Sequence, residues 1–262
     1  MKKLLLFLFL VVTVSKAQTG VRDNSFLMEE AYNQEIGVIQ HIQAWQLDQN
    51  FTHAICSFTE EWPVFSELHQ CSVTLPYYFN ETNEVRLNDL LLNYRYQFSI
   101  NKYFFIAPRF SVILPTGKST SPANGGMNGY QLNIPVSYEV SSKLAFHLNI
   151  GNTLLWLAGK QNETSIDKSE SLAYGISAIY FLTKNFNILV ETIHSASFNE
   201  TSTGINQLEK STILNPGFRF AINFSSGMQI VPGFSIPYDV QSATSAYFLY
   251  LSVEHPLKKI KS

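Results

Sequence analysis

The chain has 262 residues, of which 45% are hydrophobic, 14% aromatic and only 15% charged. A soluble domain carries roughly 25% charged residues, so a water-dissolved globule is a poor fit, and neither a collagen-like nor a disordered chain suits 13 Gly and 10 Pro among 20 Phe and 13 Tyr. The formal net charge of −2 leaves no basic surface for nucleic acid.

Residues 1–17 have the form of an export signal. Lys2 and Lys3 precede an apolar run from Leu4 to Val12, and Ser15-Lys16-Ala17 sets small residues at the −3 and −1 positions of a cut after Ala17. The run is too short to cross a bilayer as a helix. Losing Lys2, Lys3 and Lys16 leaves 15 of the 18 basic residues against 20 acidic ones. No later stretch is apolar over about 18 residues, so any membrane crossing must be made by strands.

Residues 18–35 contain Glu29, Glu30, Tyr32, Asn33 and Glu35, and are expected to form a periplasmic or lumen-plugging segment. From residue 36 to 255 the sequence alternates with period 2 in units of about ten residues, the strand period. In 88–98, Leu90, Leu92, Tyr94, Tyr96 and Phe98 share one face, and Asp89, Leu91, Asn93, Arg95 and Gln97 the other. The same division recurs over 104–114, 130–139, 144–151, 172–180, 186–191 and 214–224. With 36–47, 51–62, 68–79, 228–236 and 244–255 this predicts about twelve strands. A short tail, 256–262, follows.

Short turns are predicted at Ser99–Lys102, Ser141–Ser142, Thr183–Asn185 and Ser225–Gly227. Longer polar connections are predicted at Pro115–Asn128, Ala158–Ser171 and Ser197–Ser211. Short connections at one rim and long ones at the other are the habit of bacterial outer-membrane barrels. Nearer the start, Asp48–Asn50, Pro63–Glu67 and Asn80–Arg86 lack that contrast.

Charge placement separates a barrel in lipid from a soluble sandwich. From Lys102 to Lys210 every lysine falls in or beside a predicted connection, while the mid-strand charges Arg95, Arg109, Arg219 and Glu191 all lie on the polar phase. That phase is otherwise Asn, Gln, Ser, Gly and Ala, which suits a confined lumen better than open water. Aromatics near strand ends, among them Tyr130, Tyr138, Trp156 and Tyr180, fit interfacial girdles.

Candidate chemistry is sparse. The six histidines show no metal-ligand spacing, and no phosphate-binding glycine loop occurs, so neither a metal nor a cofactor is expected. His194-Ser195-Ala196-Ser197 puts Ala196 where a His-x-Ser hydrolase would need serine, so no catalytic set is assigned. Cys56 and Cys71 are read as small hydrophobes rather than a disulfide. The better candidates for permeant contact are the inward charges: Arg95 and Arg109, adjacent across a short turn, with Arg219, Asp89 and Glu191. The guanidinium groups need carboxylates, for which Asp89, Glu191 and the acidic Glu29, Glu30 and Glu35 are available.

Several motifs resemble one family. Glu29-Glu30-Ala31-Tyr32-Asn33-Gln34-Glu35 with Gln40-His41, Thr59-Glu60-Glu61-Trp62-Pro63, Asn93-Tyr94-Arg95-Tyr96-Gln97, Ala107-Pro108-Arg109-Phe110-Ser111 with Leu114-Pro115-Thr116-Gly117, Asn215-Pro216-Gly217-Phe218-Arg219 and Val231-Pro232-Gly233 are similar to bacterial outer-membrane transporters associated with the meta-pathway of phenol degradation. The resemblance implies an outer-membrane barrel passing small hydrophobic or amphiphilic molecules, and assigns no catalytic residues. One departure is that the last strand is followed by Pro256–Ser262 instead of ending on an aromatic residue.

The sequence therefore predicts an all-β protein, a transmembrane antiparallel β-barrel of about twelve strands in the bacterial outer membrane. Its expected partners are membrane lipid, the barrel-assembly machinery and a small-molecule permeant, with no nucleic acid. Two alternatives are a non-conducting barrel that binds an external partner through its long loops, and a barrel hydrolase.

Overall fold

A computed structural model describes residues 25–81, 84–117, 126–158, 166–201 and 206–257. The signal sequence with its cut after Ala17, the loop lysines Lys118 and Lys160, and the tail from residue 258 lie outside the described residues.

Twelve strands follow one another around a single closed sheet. They are β1 (Val38–Asp48), β2 (Ala54–Val64), β3 (Ser66–Phe79), β4 (Leu90–Tyr96, with short pieces Val85–Leu87 and Phe98–Ser99), β5 (Phe104–Ile106 and Arg109–Leu114) and β6 (Met127–Ser141). Then come β7 (Leu144–Leu157), β8 (Ile166–Thr183), β9 (Phe186–Thr201), β10 (Asn206–Phe220 and Ile222–Asn223), β11 (Gln229–Ser235 and Tyr238–Asp239) and β12 (Thr244–Pro256). Every pairing is antiparallel, and β1 closes on β12 in unbroken register from Val38↔Pro256 to Asp48↔Ala246. Closure matters because an open edge would leave backbone groups unpaired in hydrocarbon.

The two faces are those of the sequence alternation. Leu92, Tyr94, Phe110, Leu132, Ile150, Ile176 and Leu214 are exposed on the outside, whereas Asn93, Arg95, Ser137, Ser177, Glu191, Asn215 and Arg219 are buried within. Outer aromatics contact one another across strands at the two belts: Tyr130 with Trp156 at 5.4 Å on one side, and Phe104 with Tyr138 at 6.2 Å on the other. Proline interrupts β5 without opening the wall. Pro108 has no N–H, but its carbonyl accepts from Tyr96 N–H at 3.1 Å, and Ala107 N–H donates to Pro135 at 2.9 Å.

Several boundaries differ from expectation. β9 runs on to Thr201, β10 starts at Asn206 and β8 at Ile166, so the predicted connections 158–171 and 197–211 are narrower. Lys168 and Lys210 consequently sit inside strands, opposite Trp156 and Ala196. These strand ends are polar on both faces, so period 2 fades although the backbone ladder continues. The predicted loop 63–67 shrinks to one residue, Phe65, at φ 62° between β2 and β3.

Cys56 and Cys71 are both free. Cys71 stands opposite Trp62, six positions along β2 from Cys56. At about 3.3 Å per residue that is about 20 Å, far beyond disulfide reach.

Candidate functional site inside the barrel

Residues 25–35 lie inside the barrel as an irregular extended segment. Gly37, at φ +82°, makes the reversal from lumen to wall, closed by a hydrogen bond from Val38 N–H to Glu35 O at 3.1 Å. A side chain at that φ would be strained, so glycine is the residue that lets the chain turn from the interior into β1.

A segment with no helix or sheet of its own must find partners for its backbone elsewhere. Here the lumen wall supplies them. Leu27 N–H and Met28 N–H donate to the Glu191 carboxylate at 3.1–3.2 Å, and Glu29 N–H to Asn149 Oδ1 at 3.0 Å. Asn149 Nδ2 donates back to Glu29 O at 2.7 Å, so one side-chain amide pairs with a peptide as a neighbouring strand would. Ala31 N–H reaches Ser137 Oγ at 2.7 Å, Asn33 N–H reaches Gln97 Oε1 at 2.6 Å, and Gln34 N–H reaches Gln70 Oε1 at 2.8 Å. The Asn, Gln and Ser of the inward phase therefore act as a surface that binds main chain.

The acids of the segment meet the arginines of the wall. Glu29 takes a fork from Arg109, with Nη2 at 2.6 Å and Nε at 2.9 Å from Oε1, and adds Asn133 Nδ2 at 2.8 Å. Arg95 Nη1 stands 3.8 Å from the same carboxylate. Arg219 Nη2 donates to Glu30 Oε1 at 2.8 Å, and the His147 ring lies 3.9 Å from Oε2. Arg95 spends its other donors on the segment's carbonyls and amide, reaching Tyr32 O at 2.6 Å and Asn33 Oδ1 at 2.9 Å.

An apolar anchor completes the seat. Phe26 packs among Ile42, Ile179, Leu189, Phe248 and Tyr250, with ring centroids 5.6 Å from both Phe248 and Tyr250. The wall is hollowed for it. A Cβ on Gly217 would stand 2.6 Å from the Phe26 ring, and one on Gly233 would also collide with it.

The segment divides the lumen. On the side of the long loops is a cavity of about 210 Å³, bounded by Leu27, Met28 and Glu29 and by wall residues including Arg109, Asn133 and Ile193. On the side of the short turns lies a second, of about 260 Å³, bounded by Tyr32 to Glu35 with Gln97 and Glu254.

Of the residues singled out in the sequence, Arg95 and Arg109 pair directly across β4 and β5 and converge with Glu29. Arg219 joins Glu30, while Tyr32 donates to Glu139 at 3.2 Å. Three candidates take other roles than expected. Asp89 accepts from Gly117, Gly126 and Met127 N–H at 2.8–2.9 Å and so holds the end of β5 beside the start of β6. Glu191 takes its hydrogen bonds from the main chain at Leu27 and Met28 and from Asn215, with Arg219 close enough to act on it through space. Glu35 is exposed at the rim, outside the arginine cluster. His194 faces the outside, with Nδ1 2.9 Å from Thr212 Oγ1 and its ring against Tyr174.

Sequence reasoning missed Phe26, Gly217, Gly233, His147 and Glu61, the last of which stands 4.0 Å from Arg95. A signal existed for the glycines, which interrupt bulky strands on the inward phase. Phe26 carried none, because one aromatic in a non-periodic segment has no pattern.

No protein-family model and no curated protein matches the chain. Among solved structures it is similar to an outer membrane channel from Pseudomonas putida F1, with a TM-score of 0.61 and 12% identity over 86% of this chain and 97% of that one. The NanC porin gives 0.54 with 10% identity over 84% and 100%. The KdgM porin gives 0.51 with 12% identity over 84% and 99%. At identities this low the likeness is one of fold, the twelve-stranded barrel of outer-membrane channels.

Proposed function

We propose that the protein is a bacterial outer-membrane channel for small molecules, non-enzymatic and passive, whose lumen is closed by its own residues 25–35. The observation that carries this reading is the division of the lumen by a segment that joins the wall through the turn at Gly37, with a cavity on either side of it. A barrel whose interior only needed filling would be filled by wall side chains. Here the wall instead presents arginines, amides and glycine hollows to a removable peptide.

The resemblance of the motifs to transporters of phenol degradation, together with the mixed polar and apolar lining of the outer cavity, supports small hydrophobic or amphiphilic permeants. The exposed apolar belt is read as the lipid contact, and internal aromatics of β12, such as Tyr247, as the mark read by the assembly machinery. Export through the signal sequence cut after Ala17 belongs to the same reading.

The test is conductance in planar bilayers, comparing the full chain with a variant lacking residues 21–35. The variant is expected to conduct severalfold more. Equal conductance removes the plug. If neither protein passes ions or small aromatic solutes when correctly folded, the channel reading gives way to a non-conducting barrel that binds partners through its loops.

A further inference from the structure

Resting on the channel reading, we propose that Glu29 is an internal stand-in for the permeant's head group. The permeant is then an amphiphilic organic anion, one carboxylate on a compact apolar body, which displaces Glu29 from Arg109.

The cradle around Glu29 belongs to the wall. Arg109 Nη1 is held by Asn93 Oδ1 at 3.0 Å and by Ser111 Oγ, and Nη2 by Gln131 Oε1 at 2.8 Å, all neutral groups on β4, β5 and β6. These contacts orient the guanidinium without help from the segment. Asn133 Nδ2, which donates to Glu29, is itself on the wall, and it also lies 3.0 Å from Asn149 Oδ1. What the segment adds is the carboxylate. A planar fork with a flanking amide donor matches a carboxylate's two oxygens.

The cradle also opens onto space. Glu29 and Arg109 both border the 210 Å³ cavity on the long-loop side, and its lining also includes the apolar Leu27, Met28 and Ile193. A molecule placed there has its charged end at Arg109 and its apolar body against those side chains. The Glu29 side chain keeps 24% of its exposure, against 4% for Glu30, so of the two acid–arginine pairs this one faces open space.

The need of Arg109 for a counter-ion then selects the permeant. Exchanging one carboxylate for another keeps the charge-assisted hydrogen bonds of Arg109 constant and frees Glu29 to turn its own charge toward the open cavity. A neutral molecule that pushed Glu29 away would leave Arg109 in a confined lumen without its counter-ion, which is strongly unfavourable. An inorganic anion supplies the charge but nothing for the apolar lining.

The experiment uses the full chain in planar bilayers with phenylacetate and its neutral analogue phenylacetamide as probes. Phenylacetate is expected to raise the open fraction saturably and the amide to leave it unchanged. In Glu29→Gln, which weakens the internal competitor, half-saturation by phenylacetate should fall about tenfold or more, the worth of one charge-assisted hydrogen bond. In Arg109→Gln the response should vanish. Should that variant fail to fold, Asn133→Ala replaces it and should raise half-saturation severalfold. An equal response to the amide, or an unchanged half-saturation in Glu29→Gln, overturns the inference and leaves the channel reading standing. Silence from both the full chain and the variant lacking 21–35 overturns the channel reading and this inference with it.

Discussion

Arg219 and Glu30 meet at 2.8 Å deep in the lumen with side chains 0% and 4% exposed, one contributed by the wall and the other by the segment that fills it. Neither charge has bulk water to fall back on, so the pair couples the position of the segment to the electrostatics of the barrel.

Removing one partner should therefore hurt more than removing both. Arg219→Gln or Glu30→Gln alone is expected to destabilise docking of the segment by about 3–5 kcal/mol, and the double variant by less than either single one. Denaturant titration of the four proteins in lipid vesicles gives the coupling. A coupling near zero would show that the two charges do not compensate each other.

The hollow for Phe26 makes a steric prediction. Gly233→Ala puts a methyl group into the ring's place and is expected to expel residues 25–28 while the barrel stays intact. Phe26→Ala removes the same anchor from the other side and should cost docking about 3–5 kcal/mol. Limited proteolysis reads both, as cleavage within 25–35 appearing without cleavage of the wall.

Covalent locking tests closure itself. In a Cys56→Ser, Cys71→Ser background, Ala31→Cys with Ser137→Cys joins two positions now linked by a 2.7 Å hydrogen bond. Oxidised protein is expected to stay at basal conductance in the presence of any permeant, and reductant to restore the response. Conductance that ignores the redox state would mean the path lies elsewhere.

Asp89 predicts an effect confined to one rim. Asp89→Ala deprives three backbone N–H groups of their acceptor and should cost about 1–3 kcal/mol locally. Hydrogen exchange at Gly126 and Met127 should accelerate, with protection at Ser177 and Asn215 unchanged.

How much of this is legible in the sequence depends on whether a neighbour's chemistry repeats. Leu92, Tyr94, Phe110 and Leu132 declare a lipid-facing wall because a strand turns every second side chain the same way, and twelve such units give both the barrel and its inner surface. Arg95 and Arg109 could be paired from hairpin counting alone. Their carboxylate could not be assigned: Glu29, Asp89 and Glu191 all qualified by charge, and the choice was made by an irregular segment whose path no periodicity records. Strand ends differ from the periodic pattern for a related reason. Beyond the lipid belt, at Lys168 and Lys210, the backbone ladder persists after the pressure to alternate has ended.

Residues 25–35 touch wall groups on both sides of the β1–β12 closure and across the ring from it, from Gln70 and Arg109 to Glu191 and Phe248. That seat does not exist until the cylinder is sealed. Residues 25–35 must consequently be the last to settle, so the barrel completes itself by docking a peptide into a ring already closed.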